Sequence, residues 1–117
     1  MRVHMLTVLA LVTALSGVAY ADARSDAKEQ VEFGISVAQK GLWKEAIYRW
    51  ERATQIDPSY AAAFNDLAIG YEHEGLLEKA GAAYERALKI EPNNPMVRQN
   101  FELFKEIHDR TNQSQTP

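Results

Sequence analysis

Three histidines and no cysteine bound the chemistry this 117-residue chain could perform. His73 stands in Glu72-His73-Glu74, a triplet that superficially suggests a metal site. On a helix, neighbours one and two apart point to different sides, so the three cannot converge on one ion. The residue four after His73 is Leu77, which also removes the zinc-protease spacing. His4 lies in the leader described below, and His108 is expected to pack in the last turn of the final helix. The serines, at 16, 25, 36, 59 and 114, have no histidine–acid pair at suggestive positions. The glycines never form a phosphate-cradling loop. Carboxylates are numerous but interleaved with bases, as in Glu85-Arg86 and Lys44-Glu45, the pattern of a solvated helix surface. The expectation is a chain with no catalytic residue, no metal and no cofactor.

Charge narrows the partners further. Thirteen Lys and Arg against sixteen Asp and Glu give a net charge of −3, with no basic cluster to track a phosphate backbone, so nucleic acid is not expected. A hydrophobic content of 46% supports a packed core, and 25% charged residues suit a soluble surface.

The first residues, MRVHMLTVLALVTALSGVAYADA, follow another logic. A short basic start (Arg2, His4) leads into an uncharged run, then Ser16-Gly17, read as helix-breaking, and the small-x-small triplet Ala19-Tyr20-Ala21. That order reads as a secretory signal peptide over 1–21, cleaved after Ala21. The alternative is an uncleaved N-terminal membrane anchor, for which the apolar stretch is short. All sixteen acids lie beyond residue 21 and Arg2 before it, so cleavage takes the net charge from −3 to −4. With no cysteine there is no site for bacterial lipid anchoring, and an exported domain must hold by packing alone. The leader's small size points to a bacterial periplasm. Secretion from a eukaryotic cell is the other reading, in which Asn112-Gln113-Ser114 would be a glycosylation sequon.

What would position any functional group is a repeat. Residues 41–58, GLWKEAIYRWERATQIDP, return 34 positions later as 75–92, GLLEKAGAAYERALKIEP, with eight of eighteen identical. Apolar residues recur at helical spacing and nowhere alternate as in a strand. Gly41, Pro58, Gly75, Pro92 and Pro95 cut the chain into helices expected at about 24–39, 43–56, 60–73, 77–90 and 95–110. Gly41 and Gly75 are placed for left-handed helix ends, Asn94 to cap the helix beginning at Pro95, and Ser59 to cap the third helix after Pro58. Phe33 pairs with Leu67, Gly34 with Ala68, Ala46 with Ala80, Trp50 with Tyr84, Ala53 with Ala87 and Pro58 with Pro92. Small residues at these positions let helices approach closely, and aromatics fill the wider gaps. Ala63 and Gly70 mark the face of the second unit that meets the first. Arg98, Glu102 and Lys105 make the far side of the last helix fit for water, and Glu29 and Ser36 do so at the other end.

Phe64, Leu67, Ala68, Tyr71, Gly75, Ala80, Tyr84, Ala87 and Pro92 resemble the tetratricopeptide repeat pattern nearly complete. Residues 27–60 resemble it too, departing at Gln30, where a large apolar residue is usual, and at Val37. The resemblance implies an all-α, right-handed α-solenoid over 22–110: hairpins at 27–60 and 61–94, a capping helix at 95–110, and a disordered polar tail at 111–117. It further implies a non-enzymatic adaptor that holds a peptide or helix of another protein in a concave groove. The positions resembling that lining are Lys28, Val31, Ile35 and Gln39; Ala62, Asn65, Ile69, Glu72 and His73; and Met96, Gln99 and Leu103. Family members that grip a terminal carboxylate use lysine, asparagine and arginine. Here the matching positions hold Val31, Ile35, Asp66, Met96 and Asn100, and Asp66 would repel such a group. A bacterial envelope adaptor is therefore expected, monomeric and not inserted in the membrane after leader cleavage. A self-associating structural subunit of an envelope assembly, joined through Trp43 and Tyr48, is the alternative.

Overall fold

The computed structural model describes the backbone of residues 2–115 and the side chains of residues 20–115. Five helices make up the described residues: α1 (Arg2–Ala38), α2 (Trp43–Ile56), α3 (Ala61–His73), α4 (Leu77–Ile90) and α5 (Pro95–Ser114). No strand occurs among them. The expected all-α stack of two hairpins and a closing helix is what forms: α1 pairs with α2, α3 with α4, α2 joins the hairpins, and α5 lies on α4 and α3.

The breaks have local causes. Gly41 and Gly75 sit at φ +80° and +74°. At the first, the Leu42 N–H bonds the Val37 carbonyl and the Gly41 N–H bonds that of Ala38. The Leu76 and Gly75 N–H groups repeat this on Tyr71 and Glu72. Each is a Schellman closure, satisfying orphan carbonyls at the cost of a left-handed residue that glycine adopts freely. Asn94 caps α5, its Oδ1 accepting from the Met96 and Val97 N–H groups.

Several boundaries depart from expectation. Ser59 does not cap α3. Tyr60 holds the N-cap position without a side-chain bond, and Ser59 bonds Asp57 through both its N–H and its hydroxyl. Helix α1 starts at Arg2 rather than near 24 and passes through Ser16-Gly17 unbroken. One interior glycine costs about 1 kcal/mol, which good helix formers around it offset. The expected leader lies almost wholly outside the residues with described side chains. Among the described residues no helix is long and apolar enough to cross a membrane. Helix α5 continues to Ser114, where a polar tail from 111 was expected. The Thr111 hydroxyl bonds the Ile107 carbonyl and that of Ser114 the Thr111 carbonyl.

Trp50 holds the hairpins together. It is buried, and its indole N–H donates to the Val31 carbonyl at 3.2 Å. A Cβ on Gly34 would lie 2.4 Å from that nitrogen, and one on Gly70 would lie 3.0 Å from the other side of the ring and 2.8 Å from Ile47 Cγ1. The ring thus lies between two glycines on α1 and α3, which allow backbone to approach its faces. The second core gathers Ala68, Ala80, Tyr84, Ala87, Val97 and Phe104. Leu67 is buried, whereas its repeat partner Phe33 is 46% exposed. Phe33 shares a helical stripe with Glu29 and Ser36, both exposed, on the side of α1 that meets no other helix among the described residues. The Arg49 guanidinium, 4.2 Å from the ring centroid, covers it instead. Arg98, Glu102 and Lys105 are all exposed at the other end, as their charge requires.

A candidate partner-binding groove

Two of the twelve expected groove residues are interior. Val31 turns into the core beside Ala27 and Trp50. Asn65 is 1% exposed: its Oδ1 accepts from Asn100 Nδ2 at 3.1 Å and its Nδ2 reaches Asp66 Oδ1 at 3.4 Å. Side chains on a helix lean over the preceding turn, so these positions meet α2 and α5 rather than the groove. Both leave the candidate lining, and Asn100 is a strut between α3 and α5. Ile35, Met96 and Leu103 are exposed, as are Lys28, Gln39, His73 and Gln99, while Ala62, Ile69 and Glu72 are half-buried.

The exposed residues do not form one continuous strip. Ile35 and Ala38 of α1, Gln39 just past its end, Trp43 and Trp50 of α2, and Asp66 and Ile69 of α3 line one hollow of about 320 Å³. Met96 and Leu103 lie outside it on α5. The residues missed by sequence reasoning are Ala38, Trp43, Trp50 and Asp66. Trp43 is only half-buried, but its ring stacks on His73 with centroids 3.9 Å apart and planes 13° from parallel. That pairing fixes the rim of the hollow and withdraws Trp43 from the self-association surface expected of it.

Asp66 is the one ionisable group lining the hollow. The four ion pairs among the described residues are Arg24–Asp57, Arg49–Glu45, Lys105–Glu102 and Arg110–Glu106, so none reaches it. Burial pushes its carboxyl up to about 6, against a weak opposing pull from the Asn65 amide. Two tyrosine phenols, by contrast, are paired with carboxylates. Tyr84 bonds Glu72, and burial followed by that carboxylate raises its phenol above the ordinary range. Burial, then the Glu51 carboxylate, pushes Tyr71 up to about 12.

A larger hollow, about 490 Å³, lies at the opposite edge among Tyr20, Ala23, Ile56, Pro58, Ser59, Arg86 and Ile90. Its carboxylate is already satisfied: Asp57 takes a 2.5 Å bond from Arg24 and two from Ser59. Burial raises the Asp57 carboxyl, but the Ser59 hydroxyl and Arg24 outweigh it and hold it below the usual range. That edge is a clasp between α1 and the α2–α3 turn. The unmatched chemistry is in the smaller hollow.

Among the described residues no three His, Asp or Glu gather closely enough to hold a metal ion. The hollow sets one carboxylate among tryptophan, isoleucine and alanine side chains.

The fold and its hollow define a stack of helical hairpins with an apolar concave face. No protein-family model matches the chain. It is 30% identical over 73 residues to the tetratricopeptide repeat domain-containing protein PYG7, chloroplastic, of Arabidopsis thaliana, covering 62% of this chain and 24% of that protein. Over 60 residues it is 34% identical to the probable UDP-N-acetylglucosamine–peptide N-acetylglucosaminyltransferase SPINDLY of Solanum lycopersicum, covering 51% of this chain and 6% of that protein. The chain thus spans about a quarter of the length of the first relative and a far smaller share of the second. Similarity to a protein named for this repeat, together with the observed hairpins, supports a tetratricopeptide-like chain.

Proposed function

We propose that this chain is a non-enzymatic tetratricopeptide-type adaptor that holds a segment of another protein against the face formed by α1 and α3. The hollow between Ile35 and Ile69 carries the reading: it is concave, walled by apolar and aromatic side chains, and has one polar group to orient an occupant. Photo-crosslinking amino acids at Ile35 and Ile69 should trap one partner, and the same label at the exposed Lys89 on α4 should not. Trapping from Lys89 alone would refute the reading.

The residue order of 1–21 supports export to a bacterial envelope, with cleavage after Ala21. Cleavage there leaves Arg24 and Ala27, which tie α1 to the rest, in the mature chain. N-terminal sequencing of protein from a periplasmic fraction should begin at Asp22. Recovery of the intact chain with membranes would favour an N-terminal anchor.

A self-associating structural subunit is the second reading. Phe33 and Tyr48, 46% and 54% exposed on either side of Arg49, are the surface that favours it. Light scattering that returns the monomer mass across concentration removes it.

A further inference from the structure

We propose that the hollow between α1 and α3 selects a partner segment that presents an arginine beside a bulky apolar residue, with the Asp66 carboxylate receiving the guanidinium. The proposal rests on the adaptor reading and specifies its ligand.

The argument begins with what an occupant must do to Asp66. The hollow is open now, and the carboxylate, already partly withdrawn from water, has no cation. Any segment that covers the hollow removes the remaining water. An apolar occupant would leave the charge buried and unpaired, which is strongly unfavourable, and an anionic one would add repulsion. A cation turns the same burial into a desolvated ion pair with charge-assisted hydrogen bonds. A metal ion does not fit, because Asp66 supplies one carboxylate and its lining neighbours are apolar, aromatic or amide.

The walls distinguish between cations. Of the two tryptophans lining the hollow only Trp43 is partly exposed, Trp50 being 3% exposed, and Ile35, Ala38 and Ile69 add aliphatic surface. A guanidinium is weakly hydrated, stacks on aromatic faces and forks onto a carboxylate, whereas an ammonium keeps its water more firmly. The arginine stem can lie along the isoleucines with its head on Asp66. Gln39 at the rim offers an amide carbonyl for a remaining N–H. The neighbouring apolar residue of the segment takes the rest of the hollow. Burial raises the Asp66 carboxyl in the unliganded chain, which accords with a group whose partner is absent.

The test starts from random twelve-residue peptides displayed on phage and selected on the full chain at pH 7.5. Enriched peptides are synthesised with arginine, lysine or the neutral isostere citrulline. Their affinities are measured by fluorescence anisotropy on the parent, on Asp66→Asn and on Ile69→Asp. Selected peptides should share an arginine next to a large apolar residue. Citrulline in its place should weaken binding to the parent about tenfold or more, as loss of a charge-assisted bond implies, with little further loss on Asp66→Asn. Lysine should fall between. Peptides without a basic residue that lose affinity for Ile69→Asp but not for Asp66→Asn would overturn this inference and leave the adaptor reading standing. Arginine peptides indifferent to Asp66→Asn would overturn it as well. Failure to enrich any peptide, or binding indifferent to Ile69→Asp, would overturn both.

Discussion

Adding one methyl group to Gly34 should undo more of this fold than most larger changes. Helix propensity alone favours Gly34→Ala by about 1 kcal/mol. Against that, the new Cβ would sit 2.4 Å from Trp50 Nε1, 2.8 Å from Cδ1 and 2.9 Å from Cε2, inside the contact distance of a rigid ring. The ring cannot retreat freely, because Trp50 is buried and its six-membered ring packs so close to Gly70 that a Cβ there would lie 3.0 Å from Cζ3. Forcing it aside costs about 1–3 kcal/mol as overpacking. Displacement also breaks the indole bond to the Val31 carbonyl, and a buried donor left unpaired costs about 1–3 kcal/mol more. After subtracting the propensity gain, Gly34→Ala should lose about 1–5 kcal/mol. For a domain of this size each kcal/mol lowers Tm by roughly 4–8 °C. Urea unfolding followed by far-UV circular dichroism measures the loss, and tryptophan fluorescence reports whether Trp50 has moved. Gly70→Ala should lose less, since its new Cβ would lie 2.8 Å from Ile47 Cγ1 and 3.0 Å from Trp50 Cζ3, against 2.4 Å at Gly34, and Gly70→Leu should loosen the stack outright. Replacing the indole by a smaller ring, Trp50→Phe, should make the Gly34→Ala change cheaper than in the parent. A Gly34→Ala variant as stable as the parent would refute the placement of Trp50 between the two glycines.

Gly81 is the contrasting case: a Cβ there would meet Phe104 at an ordinary 3.5 Å, so Gly81→Ala should gain up to about 1 kcal/mol in the same urea assay. Gln30 keeps its Oε1 buried without a hydrogen bond, and Gln30→Leu should stabilise by about 1 kcal/mol, read as a higher urea midpoint at unchanged slope. Asp66→Asn should be more stable than the parent at pH 7.5. The native carboxyl titrates at about 6, above its unfolded value near 3.9, so the native state holds the proton more tightly, stability is lost as pH rises from about 4 through 6, and above that the full penalty of the ionised group is present. That difference is about 2–3 kcal/mol at pH 7.5 and should vanish near pH 4. A variant no more stable at either pH would show that Asp66 is solvated.

Helix boundaries were legible where one residue type settles a backbone state. Gly41, Gly75 and Asn94 do this alone, through a left-handed φ or a short side chain that reaches two amides. Ser59 failed because Asp57 competes for it, and competition between two short polar side chains cannot be ranked from their order in a chain. The stacking face was readable from its small residues, Ala63 and Gly70, both buried. Phe33 was not, because a repeat gives two residues the same address while only one has a neighbour to bury it. The groove divides in the same way. Ile35 and Ile69 could be placed from their repeat position. Val31 and Asn65 were misplaced, since a register gives an angle around the helix and not the breadth of the neighbour that covers it. Trp43 and Asp66 acquire their roles only when α1, α2 and α3 close on one hollow, a meeting between segments far apart in the chain.

The central claim, that the α1–α3 face receives the partner, is tested most directly by mapping amide and indole chemical-shift changes when a selected arginine peptide is titrated into isotope-labelled protein. The account predicts changes concentrated at Ile35, Gln39, Asp66 and Ile69 and at the indole N–H of Trp43, saturating together and absent in Ile69→Asp. Changes centred on the outward face of α4, around Lys79 and Arg86, or on Tyr48, with the hollow silent, would contradict it.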